Sequence, residues 1–237
     1  MSETVLSLKN VNGWYGESHV LHGVDLDVSR GEVVSLIGRN GAGRTTILRA
    51  IMGLLERREG RIELKGRDVS SAAPHRLARA GLGYCPEERG IFSTLTCEEN
   101  LLLPPVTRAG SGMIVPLSEI YEMFPNLAER ARSPGTRLSG GEQQMLAIAR
   151  ILRTGADILL LDEISEGLAP VIVQTLARVI RELKSRGFTI VMVEQNFRFA
   201  APLADRFFII EHGRVIDVVQ QSDLAQRMDE IRRFLGV

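Results

Sequence analysis

Residues Gly38–Thr46 read GRNGAGRTT and follow directly on the apolar run Val33–Ile37. A short, continuously apolar run suits a strand buried on both faces. A glycine-rich turn between such a strand and a helix lets successive main-chain N–H groups converge on phosphate oxygens. Gly38, Gly41 and Gly43 supply the tight backbone, and Thr45 stands where a hydroxyl reaches magnesium. The expected phosphate-binding residues are therefore Gly38, Arg39, Asn40, Gly41, Ala42, Gly43, Arg44, Thr45 and Thr46. One position departs from the P-loop pattern: Arg44 occupies the place of the lysine.

The chain of 237 residues is long enough for one large domain, and its 44% hydrophobic content supports a substantial core. We expect a single nucleotide-binding domain over 1–237 with a helical insertion at about 94–150. The 29 basic and 29 acidic side chains cancel, which argues against a nucleic-acid footprint or a polybasic membrane anchor. Cys85 and Cys97 fit neither a disulfide framework nor a metal spacing and suit a reducing cytosol. Met1–Asn10 lacks the basic-then-apolar order of a signal segment, and no apolar stretch approaches the roughly 20 residues of a spanning helix.

Short apolar runs at Val5–Leu8 and Val24–Val28 alternate as half-buried strands do. A helix is expected from Thr45, with Ile47, Leu48, Ile51 and Leu55 at helical spacing. Gly60–Leu64 and Leu82–Cys85 read as strands. From Thr94 to Leu138 the prolines multiply, and short helices fit at Glu98–Leu103 and Leu117–Met123 with a loop at Arg108–Gly112. Glu142–Leu152 reads as a helix, Ile158–Leu161 as a buried strand, and Pro170 opens an amphipathic helix that Gly187 stops. Phe188–Val193 is a further strand. His212-Gly213 between Phe207–Ile210 and Arg214–Val218 signals a hairpin. Short helices are expected in Ser222–Leu235. Alternating strands and helices imply an α/β fold, mainly parallel with an antiparallel front portion.

Two further constellations carry chemistry. The strand Ile158–Leu161 delivers Asp162 and Glu163 at its polar end. Asp162 can hold magnesium, and Glu163 can orient or deprotonate an attacking water. The segment Leu138-Ser139-Gly140-Gly141-Glu142-Gln143-Gln144 places two glycines before a helix, leaving its N-terminal N–H groups free to face an anion. Ser139 with Glu142 three residues on also fits a capping box.

In this order and spacing, the near-P-loop, LSGGEQQ and LLLLDE resemble the nucleotide-binding subunit of ABC transporters across essentially the whole chain. A narrower similarity, to ATPases of branched-chain amino-acid importers and their urea- or amide-importing relatives, rests on four segments. They are Tyr84-Cys85-Pro86-Glu87 with Gly90-Ile91-Phe92, Glu98-Glu99-Asn100-Leu101, Gly167-Leu168-Ala169-Pro170 and Val193-Glu194-Gln195-Asn196. The resemblance implies a P-loop NTPase cassette: a mainly parallel core sheet, an antiparallel β subdomain and a helical subdomain. It implies ATP and Mg2+ as ligands, with Tyr15 stacked on adenine (or, alternatively, a partly buried core aromatic) and Val20 beside the base. Glu87 would touch magnesium and sense the membrane subunit, Glu163 would act on water, and Gln195 would contact the γ-phosphate. Ser139, Gly140, Gly141 and Glu142 would close over ATP held by an opposing subunit, which the loop Ser165–Leu168 would also meet.

The implied partners are transmembrane permease subunits, a second ATP-binding subunit (the same chain or another) and, indirectly, an extracytoplasmic substrate-binding protein. The implied place is the cytoplasmic face of the membrane, held peripherally. Ile91, Tyr121 and Phe124 are candidates either for gripping the permease or for core packing. The competing readings are a soluble ABC-type switch on DNA or ribosomes and an ATP-binding regulatory cassette with little hydrolysis. The first conflicts with a single cassette of neutral charge; Arg44 keeps the second open, because arginine is bulkier and forked where lysine is a point charge.

Overall fold

The structure is a computed structural model and describes residues 3–105 and 113–235. The expected loop at Arg108–Gly112 lies outside the described residues.

Strands β1 (Thr4–Tyr15) and β2 (Ser18–Ser29) form an antiparallel hairpin. Both run well beyond the alternating runs that announce them, because register shifts near Leu8, Val11 and Gly13 break the period of two midway. β3 (Val33–Ile37) is buried throughout and is followed by α1 (Arg44–Ile51). That helix stops short of Leu55: Gly53 takes φ +68°, and Leu55 packs from outside the helix instead. β4 (Arg57–Leu64) pairs antiparallel with β1, and the short β5 (Arg67–Asp68) pairs with β4, giving a front sheet of order β2-β1-β4-β5.

A short helix that the periodicity does not reveal, α2 (Pro74–Arg79), precedes β6 (Leu82–Cys85). Then come α3 (Cys97–Leu102), α4 (Leu117–Met123), α5 (Pro125–Glu129) and α6 (Gly140–Leu152). Capping boxes fix where two of these start, Thr96 with Glu99 for α3 and Ser139 with Glu142 for α6. Phe124 is fully buried and Tyr121 half-buried, its hydroxyl donating to Glu98 at 2.9 Å. Phe124 is therefore core and not a permease contact. β7 (Ile158–Asp162), α7 (Pro170–Ser185), β8 (Thr189–Val193), α8 (Phe197–Ala200), β9 (Arg206–Glu211), β10 (Arg214–Gln220) and α9 (Met228–Leu235) complete the chain.

The main sheet has the order β10-β9-β3-β8-β7-β6, parallel except for the β9–β10 hairpin. Successive residues of its central strands alternate between two cores. Ile37, Leu159, Leu161, Ile190 and Met192 face one side with α6 and α7. Leu36, Leu160, Val191 and Val193 face the other, with β1, β2 and α1. Each fully buried aliphatic side chain of this kind stabilises the fold by about 1.5–3 kcal/mol, so the sheet is the rigid platform. Because β3, β8 and β7 are neighbours, the residues after their carboxyl ends emerge side by side, at the edge where open α/β sheets bind ligands.

Gly213 knits that edge to the front sheet. Its N–H donates to the Ala42 carbonyl and its carbonyl accepts from the His22 N–H, at 2.8 and 2.9 Å. It takes φ +69°, and a Cβ there would sit 1.8 Å from the Val20 carbonyl oxygen. Gly213→Ala is expected to destabilise the fold by about 2–4 kcal/mol, combining left-handed strain with an unrelievable backbone clash. Urea unfolding of the two proteins at one pH measures this.

Candidate functional site: a phosphate loop facing three carboxylates

The loop after β3 turns into α1 through Gly43, which takes φ +102° as the N-cap residue. No side chain caps this helix and no acid occupies its first turn, so its N–H groups and positive dipole end are left for an anion. Residues 40–46 line a cleft of about 440 Å³ together with Val20, Glu87, Glu163, Glu166 and Gln195. Gly38 lies beneath this loop, where a Cβ would press to 2.3 Å from the Ile210 carbonyl oxygen. Arg39 is exposed on its outer side.

Asp162, at the end of β7, is buried. Its Oδ1 accepts from the Thr45 hydroxyl at 2.9 Å and its Oδ2 from the Tyr84 hydroxyl at 3.0 Å. Burial pushes the Asp162 carboxyl above its ordinary value, against the pull of those two bonds. Hard oxygen donors from Thr45 and Glu87, which line the cleft, and from Asp162, buried behind Thr45, fit Mg2+. Tyr84 also shares the Arg49 guanidinium with Tyr15. Tyr15 itself is half-buried at the end of β1, packed on the core, and does not line the cleft.

Arg44 does not point into solvent. Its side chain is 4% exposed, and its guanidinium donates to Glu163 Oε1 at 3.0 Å, the Glu194 carbonyl at 3.0 Å and Asn40 Oδ1 at 3.3 Å. The forked head thus ties the phosphate loop to the residues following both β7 and β8. A lysine, with one nitrogen on a shorter reach, could not span the same three acceptors. Gln195 Nε2 donates to both oxygens of Glu163 at 3.3 Å. Carboxylate oxygens of Glu87, Glu163 and Glu166 lie within 4.8 Å of one another, and Arg44 supplies the cation of this lining. Glu166 is pushed up to about 7, first by its hydrogen bond with Glu163, then by burial and by the charges of Glu163 and Glu87. The sequence gives no hint of this crowding, since Glu166 reads only as part of an interface loop.

Ser139 and Gly140 are exposed at the start of α6, Glu142 is half-buried there, and none of Ser139, Gly140, Gly141 and Glu142 lines the cleft. The Ser139 hydroxyl accepts from the Glu142 N–H at 3.3 Å, and Glu142 accepts from the Ser139 N–H at 2.7 Å. Within one chain the serine–glycine turn and the phosphate loop form separate surfaces.

Residues 21–166 match the family model described as ABC transporter. The chain belongs to the ABC transporter family. It is 40% identical over 212 residues to the high-affinity branched-chain amino acid transport ATP-binding protein BraG of Pseudomonas aeruginosa, covering 90% of this chain and 91% of that one. It is 33% identical over 241 residues to the lipopolysaccharide export system ATP-binding protein LptB of Haemophilus influenzae, covering 98% of each. Among solved structures, one titled as the ATP binding subunit of an ABC transporter superposes with a TM-score of 0.81 at 29% identity, over 99% of this chain and 100% of that one. The protein is thus an ATP-binding subunit of the ABC ATPase type, with the α/β cassette fold expected from its motifs. Among the described residues no helix is long and apolar enough to cross a membrane.

Proposed function

We propose that this ABC subunit couples ATP hydrolysis to import of branched-chain amino acids or related small amides, including urea. It does so as one half of a cassette pair attached peripherally to permease subunits on the cytoplasmic face of the membrane. The observation that carries the hydrolytic part is the pair of hydrogen-bonded groups at the carboxyl edge of the sheet, Thr45–Asp162 and Arg44–Glu163–Gln195, that tie the phosphate loop to the acidic end of β7. The P-loop amides and Arg44 hold the triphosphate, with Val20, which lines the cleft, beside the base and Tyr15, packed on the core, outside the cleft itself. Thr45, Asp162 and Glu87 would hold Mg2+, which would supply charge neutralisation to the bound triphosphate. Glu163 accepts the proton of the attacking water, and Gln195 orients it or the γ-phosphate through its amide.

The second subunit contributes its own serine–glycine turn. The separation of Ser139–Gly141 from the cleft within one chain supports this division of labour. Exposed Phe92, Leu102 and Leu103 support attachment to a permease helix. Asn100 joins their two segments by reciprocal bonds of 3.0 Å with the Phe92 main chain. Import of branched-chain substrates is supported by the similarity to BraG; the similarity to LptB favours an exporter as the second reading.

Reconstitution of the chain with permease subunits and binding protein tests the proposal. Leucine, or failing that urea or acetamide, is expected to stimulate ATP hydrolysis and enter the vesicles. Purification of the chain in a complex with an exporter permease, with no solute-stimulated uptake, overturns the import reading. In the same assay Ser139→Ala is expected to lower hydrolysis about tenfold or more through loss of one hydroxyl contact to the transferred phosphate. ATP binding by the isolated subunit should stay within about threefold, because the cap it removes costs only about 1 kcal/mol at a distant helix end.

A further inference from the structure

Glu194, the residue that follows β8, is a carboxylic acid only 1% exposed. Its side chain holds the loop after β7 at one residue: Oε1 accepts from the Ser165 N–H at 3.1 Å and Oε2 from the Ser165 hydroxyl at 2.6 Å. Its main-chain carbonyl accepts from Arg44 at 3.0 Å. Its neighbour Val193 accepts from the Glu163 N–H at 2.9 Å, so the segment 163–165 is fastened to the end of β8 at both of its ends. Between the fastenings, Glu163 adopts φ +48°, a left-handed conformation that a glutamate does not hold unless its surroundings fix it.

We infer that Glu194 is a positioning residue for hydrolysis, its carboxyl anchoring Ser165 so that Glu163 and the Ser165–Leu168 loop keep their geometry while its carbonyl seats Arg44. This inference rests on Glu163 acting on water. A buried carboxyl is costly unless its oxygens are bonded, and both are bonded here to one residue of the loop that leads away from the site. Simple packing would be served by the apolar residues of the preceding strand. Burial pushes the Glu194 carboxyl up to about 7, with the Glu163 charge adding to the rise and the Ser165 bonds and the Arg44 charge opposing it. The folded chain therefore retains a proton that the unfolded chain releases as pH rises from the ordinary carboxylate range to about 7. That stabilisation is complete at the low end and lost toward the high end.

The test compares Glu194→Gln, Ser165→Ala and their double variant in the complete transporter. Glutamine keeps the shape and one acceptor, so it folds. The expected result is a tenfold or greater fall in kcat in each single variant, KM for ATP within threefold, and a double variant no slower than the worse single. Stability of Glu194→Gln relative to wild type should rise with pH across the same window. Wild-type kcat in Glu194→Gln, or losses that multiply in the double variant, overturn the inference. Glu163→Gln run alongside separates the two layers: retained turnover there defeats the reading of Glu163, whereas lost turnover there with wild-type turnover in Glu194→Gln defeats only the role of Glu194.

Discussion

Glu163→Gln is expected to lower steady-state hydrolysis by at least about 100-fold while leaving MgATP bound, the range typical for loss of a general base. The substitution is close to isosteric. A glutamine oxygen can still accept from Arg44 Nη2 and from Gln195, which reach Glu163 at 3.0 and 3.3 Å, so the three side chains keep their arrangement. It also removes one negative charge from a lining that gathers Glu87, Glu163 and Glu166, and so should favour the triphosphate. Hydrolysis and equilibrium nucleotide binding measured on one preparation separate the two effects. Parallel losses in both would mean that Glu163 organises the pocket and does not act on water.

Arg44→Ala should be nearly as damaging and for a different reason. It strips the site of its cation, leaves Glu163 Oε1 with the Gln195 amide alone, and leaves Asn40 Oδ1 and the Glu194 carbonyl without the Arg44 donor. Loss of one preorganised donor to a phosphoryl transition state costs about 2.7–4 kcal/mol, or 100- to 1,000-fold in rate. Stability should fall as well, by about 2 kcal/mol, because the ion pair with Glu163 is almost enclosed, although that carboxylate keeps a face on the cleft. Hydrolysis together with thermal unfolding reads both losses. An Arg44→Ala protein that hydrolyses at the wild-type rate would show that the main-chain nest suffices.

Much of this molecule could be read from local sequence. The phosphate loop, the strand ending in Asp162 and the hairpin at His212-Gly213 are specified by residues adjacent in the chain, and the fold realises each at or within a residue or two of its expected place. The front hairpin was only half legible, because its bulges interrupt alternation where Trp14 pairs with His19 and Gly13 with Leu21. The helix α2 buries Leu77 alone, too little to imprint a period. What the sequence could not supply were partnerships across the sheet. Arg44 reads as a defective lysine, yet its acceptors Glu163 and Glu194 lie 119 and 150 positions away and become neighbours only because β8 is inserted between β3 and β7. The hydrogen bond with Glu163, and burial, push Glu166 up to about 7, and burial pushes Glu194 there too.

Whether arginine works in the phosphate loop is decided by ATP turnover of the assembled transporter, wild type against Arg44→Lys, with the partner cassette's own site disabled. Three acceptors matched to a guanidinium fork lead us to expect wild-type turnover within tenfold of the lysine variant, or above it. No measurable hydrolysis in the wild type, restored a hundredfold or more by lysine, refutes an adapted site and leaves a cassette that binds ATP without using it.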